Sequence, residues 1–165
     1  MGLTVFDEAM HNPVDQIELV AGDNNWAFER SGADEITVSV AGGMAEYQIS
    51  FSWMPDAEAI HLAATFDLHV GPAREIEVMR LLALINAQML AGHFDFWTDA
   101  GVLMFRNTVS LIGGRGPTDV EIEGMLASAS AACDRYYEAF QFVVWAGRSA
   151  REALQSVLFE TIGEA

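Results

Sequence analysis

At 165 residues the chain is the length of one domain, and with 52% hydrophobic residues it can fill one core. Its 24 acidic residues face only eight cations, all arginine, for a formal charge of -16. That field repels phosphate backbones and anionic lipid surfaces, so neither nucleic acid nor membrane is an expected partner, whereas a basic or amphipathic polypeptide is compatible with it.

The elements follow in chain order. Asn12 and Pro13 cap and open a first helix whose Ile17, Val20 and Ala21 share a face, and Gly22-Asp23-Asn24 stops it. Four short strands come next. Trp26 and Phe28 alternate with Ala27 and Glu29 before the turn Ser31 to Asp34. Ile36, Val38 and Val40 alternate with Glu35, Thr37 and Ser39. Tyr47, Ile49, Phe51 and Trp53 alternate with Gln48, Ser50 and Ser52. Ile60, Leu62, Ala64 and Phe66 alternate with His61, Ala63 and Thr65. Period-two alternation puts an apolar row on one face and small polar residues on the other, and the tight turns between the strands predict an antiparallel meander.

Gly71-Pro72 opens a second helix. Val78, Leu81, Leu82, Ile85 and Met89 recur at helical spacing, and Ile76, Met79 and Ala83 widen that stripe, which predicts burial over much of the circumference. Gly92 is the expected C-terminal stop. Strand five spans His93 to Trp97. Strand six runs from Val102 to Leu111, and its Val102 to Phe105 stretch is apolar on both faces, as in a central strand. Thr118 to Glu121 reads as a capping box for a long helix carrying Ile122, Met125, Leu126, Ala129, Cys133, Tyr136, Tyr137 and Phe140 along one side. Ser149 to Glu152 is a second capping box, before a last helix with Leu154, Val157, Leu158 and Ile162. The predicted order is α-β-β-β-β-α-β-β-α-α: an α+β fold in which an antiparallel sheet of about six strands has helices on one face.

The single cysteine, Cys133, permits no internal disulfide and falls within an apolar helical stripe, so a buried inert thiol in a reducing compartment is expected. Met1 to Met10 has neither the basic nor the apolar region of a signal peptide, and a cytoplasmic location follows by elimination. His61, His69 and His93, with Asp67 and Asp95 nearby, could supply metal ligands, but no HxxxH, HExxH or CxxC spacing gathers them. Gly113 to Gly116 could hold an anion with its amides, yet it lacks a P-loop's lysine, and Thr118 already serves as the cap. No nucleophile–base pair can be assembled, so no catalytic residue, metal or cofactor is expected. The aromatics carry more meaning. Phe94 and Phe96 point one way, so Trp97 points the other, and the expected partner or dimer interface comprises Trp97, Val102, Met104 and Trp53.

Three stretches carry a family likeness: Leu81 to Met89, Gly92 to Trp97, and Cys133 to Trp145 (CDRYYEAFQFVVW). Through them the chain resembles the bacterial YbjN family of sensory transduction regulators, over about Ala27 to the C-terminus. The resemblance implies a single YbjN-like domain across residues 1–165 with a fold like that of type III secretion chaperones, small acidic dimers that hold an extended segment of another protein. The expectation is therefore a non-catalytic, homodimeric domain that holds a partner polypeptide on an apolar sheet face or groove. The alternative is a small-ligand sensor or enzyme whose pocket forms only in the tertiary structure.

Overall fold

Asn12 begins the fold as expected: its side chain accepts the Val14 N–H at 3.0 Å and starts helix α1, Pro13–Asp23. The computed structural model describes residues 12–163, with side chains described as far as Phe159. The Met1 to Met10 stretch, read as free of a signal peptide, lies outside the described residues, as does the side chain of Ile162. Helix α1 ends on Asn25, which takes a left-handed φ of 55°, while the Trp26 N–H donates to Ala21 O at 3.0 Å. Trp26 is thereby spent on the helix end, so strand β1 begins later than alternation predicts and spans Phe28–Gly32.

Strands β2 (Glu35–Ala41), β3 (Glu46–Met54) and β4 (Ala59–His69) continue the meander, and each pairs antiparallel with its neighbour. After a 3-10 turn at Pro72–Arg74, helix α2 covers Glu75–Asn86. It stops short of Gly92, whose role differs from the one expected. Gly92 (φ 71°) passes so close to strand β6 that an added Cβ would meet the Phe105 ring at 2.4 Å. Strands β5 (His93–Trp97) and β6 (Val102–Ser110) complete a six-stranded sheet of order β1-β2-β3-β4-β6-β5. The strand that is apolar on both sides, β6, lies inside the sheet, and β5 lies at its edge.

Helices α3 (Asp119–Val144) and α4 (Ala150–Gly163) follow. Both capping boxes form: the Glu121 N–H donates to Thr118 Oγ1 and the Glu152 N–H to Ser149 Oγ, each at 3.2 Å, and each glutamate reaches back to its cap's N–H. The architecture is the predicted one, an α+β fold with an antiparallel sheet of six strands and helices on one face.

One contiguous core lies between sheet and helices. It takes Ile36, Val38, Tyr47, Ile49, Phe51, Ile60, Leu62, Phe66, Phe94, Phe96, Leu103 and Phe105 from the strands, and Ile17, Val78, Leu81, Ile85, Ile122, Leu126, Cys133, Phe140 and Val157 from the helices. Phe94 is its aromatic hub, with the rings of Phe66, Phe105, Tyr136 and Phe140 centred 5.3–5.9 Å away. The second helix corrects one expectation. Ile76, Met79 and Ala83 face solvent, because only the Val78, Leu81, Leu82, Ile85 side of α2 meets the core.

Two polar ties bind the layers. Asp134 on α3 accepts from the Tyr47 hydroxyl at 2.6 Å and from the Gly43 and Met44 N–H groups at 2.7 and 2.9 Å, which clamps the β2–β3 hairpin under the helix. Burial pulls the Asp134 carboxyl upward, but the three donors together hold it below the ordinary carboxylate range. Arg30 on β1 pairs with Asp15 and Glu18 of α1 at 2.7 and 2.6 Å.

Candidate polypeptide-binding surface

Every second residue of the strands points away from the helices. The cross-strand registers line these residues up in rows: Glu29, Thr37, Ser50, Ala63, Arg106 and His93 in one, and Ser39, Gln48, Thr65, Met104 and Asp95 in the next. On β2, β3 and β4 the floor of this face is small and polar. Thr37 and Ser50 hydroxyls bond at 2.8 Å, and Ser39 donates to Gln48 at 3.0 Å. None of the described helices covers it, since all of them pack on the core side.

Taller side chains stand on β5 and β6. Arg106 lies on β6, next to the edge strand: its Nη1 pairs with Asp95 at 2.8 Å and its Nε donates to His61 Nε2 at 3.0 Å. The accepting nitrogen must be unprotonated, and burial, Arg106 and His93 all push the His61 pKa down. Arg106 in turn holds the Asp95 carboxyl below its ordinary range.

Beside this network lies the apolar corner. Trp97 pairs with Val102 across β5 and β6, and its ring is 55% exposed, opposite in direction to the buried Phe94 and Phe96, as alternation requires. Val102 is partly exposed. Met104 shares the face but is only 4% exposed, set in the sheet between Thr65 and Asp95. Trp53 does not belong with these residues. It shares the parity of Phe51 and Ile49, lies on the helix-covered side and is 8% exposed, so it is a core residue rather than a member of the surface.

The free edge of β5 is blocked. The Asn86 side-chain amide takes both backbone groups of Phe94, at 2.8 and 2.9 Å, and the Phe96 N–H donates to Asp95 Oδ1 at 2.9 Å. An added strand finds few open groups there. Neither Asn86 nor Asp134 had a local signal in the sequence, because each acts on backbone groups remote in the pattern.

The other candidate chemistry resolves structurally. Cys133 is buried, and burial pushes its thiol up to about 12, so it stays protonated and unreactive at neutral pH. In the Gly113 to Gly116 loop, Arg115 pairs with Glu121 at 2.7 Å, and that pairing with the cap holds the Glu121 carboxyl at about 2. Among the described residues, no group of three or more His, Cys, Asp or Glu side chains is gathered as a metal site, and no helix is long and apolar enough to cross a membrane. Recesses on the helical side are open. One of about 470 Å³ separates α2 from α4 between Arg80, Leu84 and Ala150, and one of about 490 Å³ runs beside α3 between Trp26, Val40 and Ala127.

Comparison with known proteins follows the same lines. The crystal structure of YbjN from E. coli, described as "a putative transcription regulator", is similar with a TM-score of 0.54 at 13% identity, covering 89% of this chain and 93% of that one. A chain of the ExsC–ExsE complex is similar at TM-score 0.46 and 14% identity (80% and 95% covered), and one of the HopA1–SchA chaperone–effector complex at 0.41 and 11% (76% and 98% covered). No curated protein matches. The model of the YbjN family, described as "Putative bacterial sensory transduction regulator", matches residues 13–142, and the chain therefore belongs to the YbjN family.

Proposed function

We propose that this domain is a non-catalytic regulatory or chaperone-like module that holds a segment of a partner polypeptide on the open face of its sheet, with Trp97 and Val102 as the apolar anchor. The observation that carries this reading is the asymmetry of β5. Two of its aromatics, Phe94 and Phe96, are buried beneath the helices, while Trp97 stands 55% exposed on the uncovered side. A large aromatic at the border of a small-sided polar floor is the composition of a binding hot spot, a rigid apolar anchor beside hydrogen-bonding groups. The proposed setting is the cytoplasm.

The test is capture of partners from native cytoplasm on the wild-type chain and on Trp97→Ala, read by mass spectrometry beside a melting curve of each protein. The expected result is loss of the captured set with the melting temperature held. Equal capture by both proteins would remove Trp97 from the surface.

Homodimerisation is the second part of the proposal, and a separate surface favours it. Ile76 and Met79 lie one turn apart on the solvent side of α2, and both are exposed. Sedimentation at micromolar concentration is expected to give a dimer for the wild type and a monomer for Ile76→Glu. A monomer for both rules the dimer out.

A further inference from the structure

We infer that the segment held on the open face is a cationic amphipathic one, lying across the strands with its apolar end at Trp97 and its positive side chains toward β1 and β2. This rests on the open face being the binding surface and adds the chemistry of the occupant.

The first observation is the distribution of charge. Of the eight arginines, only Arg106 lies on this face, and Asp95 and His61 already hold it. The carboxylates of Glu29, Glu35, Glu46 and Asp67 share the face by register and alternation, all four are exposed, and none is among the ion pairs formed by the described residues. Off this face, Asp15, Glu18, Glu77 and Glu121 are each paired with an arginine, while others such as Glu75 and Glu123 are in no ion pair among the described residues, so it is the position of Glu29 and Glu35 opposite Trp97, not their being unpaired, that sets this face apart. Glu29 and Glu35 thus present negative charge outside any ion pair at the β1–β2 side, Glu46 and Asp67 do so on β3 and β4, and the one arginine, at the β5–β6 side, is already held. An acidic segment would meet repulsion and no free arginine, whereas lysine or arginine side chains would meet Glu29 and Glu35.

The second observation is shape. The row from Glu29 to His93 crosses five strand spacings, about 24 Å. Between its ends, Thr37, Ser50 and Ala63 make a low floor on β2 to β4, while Arg106 on β6 and Trp97 on β5 stand at the far side. Trp97 lies four residues along β5 from His93, about 13 Å, so the diagonal from Glu29 to Trp97 is about 27 Å, which a helix of about 18 residues matches, and the small side chains of β2 to β4 permit close approach.

The test uses the full chain and two designed 18-residue helical peptides with the same leucine-rich end. One carries lysine and arginine toward its other end, the other glutamine. Binding is measured by titration calorimetry at low and high salt on the wild type, on Trp97→Ala, on Glu29→Gln with Glu35→Gln, and on a control pair of equal charge on the helical side, Glu75→Gln with Glu123→Gln. Melting curves confirm that each variant is folded.

The expected results are about tenfold tighter binding of the cationic peptide at low salt, about fivefold loss with a flatter salt dependence in the Glu29/Glu35 pair, about tenfold loss at unchanged salt dependence in Trp97→Ala, and no change in the control. If Trp97→Ala weakens both peptides while the Glu29/Glu35 pair is silent, or matched by the control pair, the cationic segment is overturned and the binding face stands. If neither Trp97→Ala nor the Glu29/Glu35 pair differs from the wild type, both are overturned.

Discussion

The two faces of the sheet are made by the same strands and share no task. On β3, Tyr47, Ile49, Phe51 and Trp53 are buried beneath the helices, while Gln48, Ser50 and Ser52 interleave with them on the open side. The covered face is held by burial of large side chains. The open face is held by short cross-strand hydrogen bonds and one arginine network, which stabilise little but define a surface. The contrast teaches that the packed core and the proposed binding surface are separated here by one residue of register, so their determinants should be separable by substitution.

The largest test of that contrast is Phe94→Ala. Truncating the aromatic hub should cost about 3–5 kcal/mol in urea denaturation; a loss under about 1 kcal/mol would mean the covered face is not the principal source of stability. Next comes the tie between the layers. Asp134→Ala removes three donors' acceptor and leaves the buried Tyr47 hydroxyl without it, with an expected cost of about 2 kcal/mol at neutral pH. The sign with pH is fixed by the depressed folded-state carboxyl. The unfolded chain takes up the proton first, so the contribution is full above about pH 4 and fades as pH falls through the lower folded value. The difference between wild type and Asp134→Ala should therefore shrink below pH 4, and a difference that grows on acidification would refute the clamp.

Ser149→Ala should cost about 1 kcal/mol by uncapping α4 in urea denaturation, an effect on the covered side alone; no change would mean the cap contributes nothing. The smallest expected stability effect is that of Trp97→Ala, under about 1 kcal/mol, since more than half of the residue is in water already. A cost as large as that of Phe94→Ala would abolish the distinction between the faces.

Much of this was legible in the residues, because local rules act over few positions. Alternation set the inward and outward rows, including the opposition of Phe94 and Trp97, and it already grouped Trp53 with Phe51, so its inclusion in the interface ran against the pattern. Asn12, Thr118 and Ser149 marked helix starts because a cap needs only its next three residues. The Val102 to Phe105 run marked an interior strand because it is apolar on both sides, although only Leu103 and Phe105 lie in the core beneath the helices. What remained hidden depends on contacts remote in sequence. Hydrophobic spacing could not tell that Ile76 and Met79 stay in water, since α2 receives neighbours on one side only. Nor could it give Asp134 its place on Tyr47, 87 positions away, or bring Arg106 between His61 and Asp95.

By itself, then, the amino-acid order determined the elements, their sequence along the chain and the two-sidedness of each strand, since these follow from backbone geometry and short-range packing. Only the tertiary structure decided which carboxylates find arginines and which do not, where Asp134 meets the β2–β3 hairpin, and that Asn86 takes both backbone groups of Phe94 at the β5 edge. Those outcomes depend on where distant segments meet, and side-chain periodicity carries no record of that.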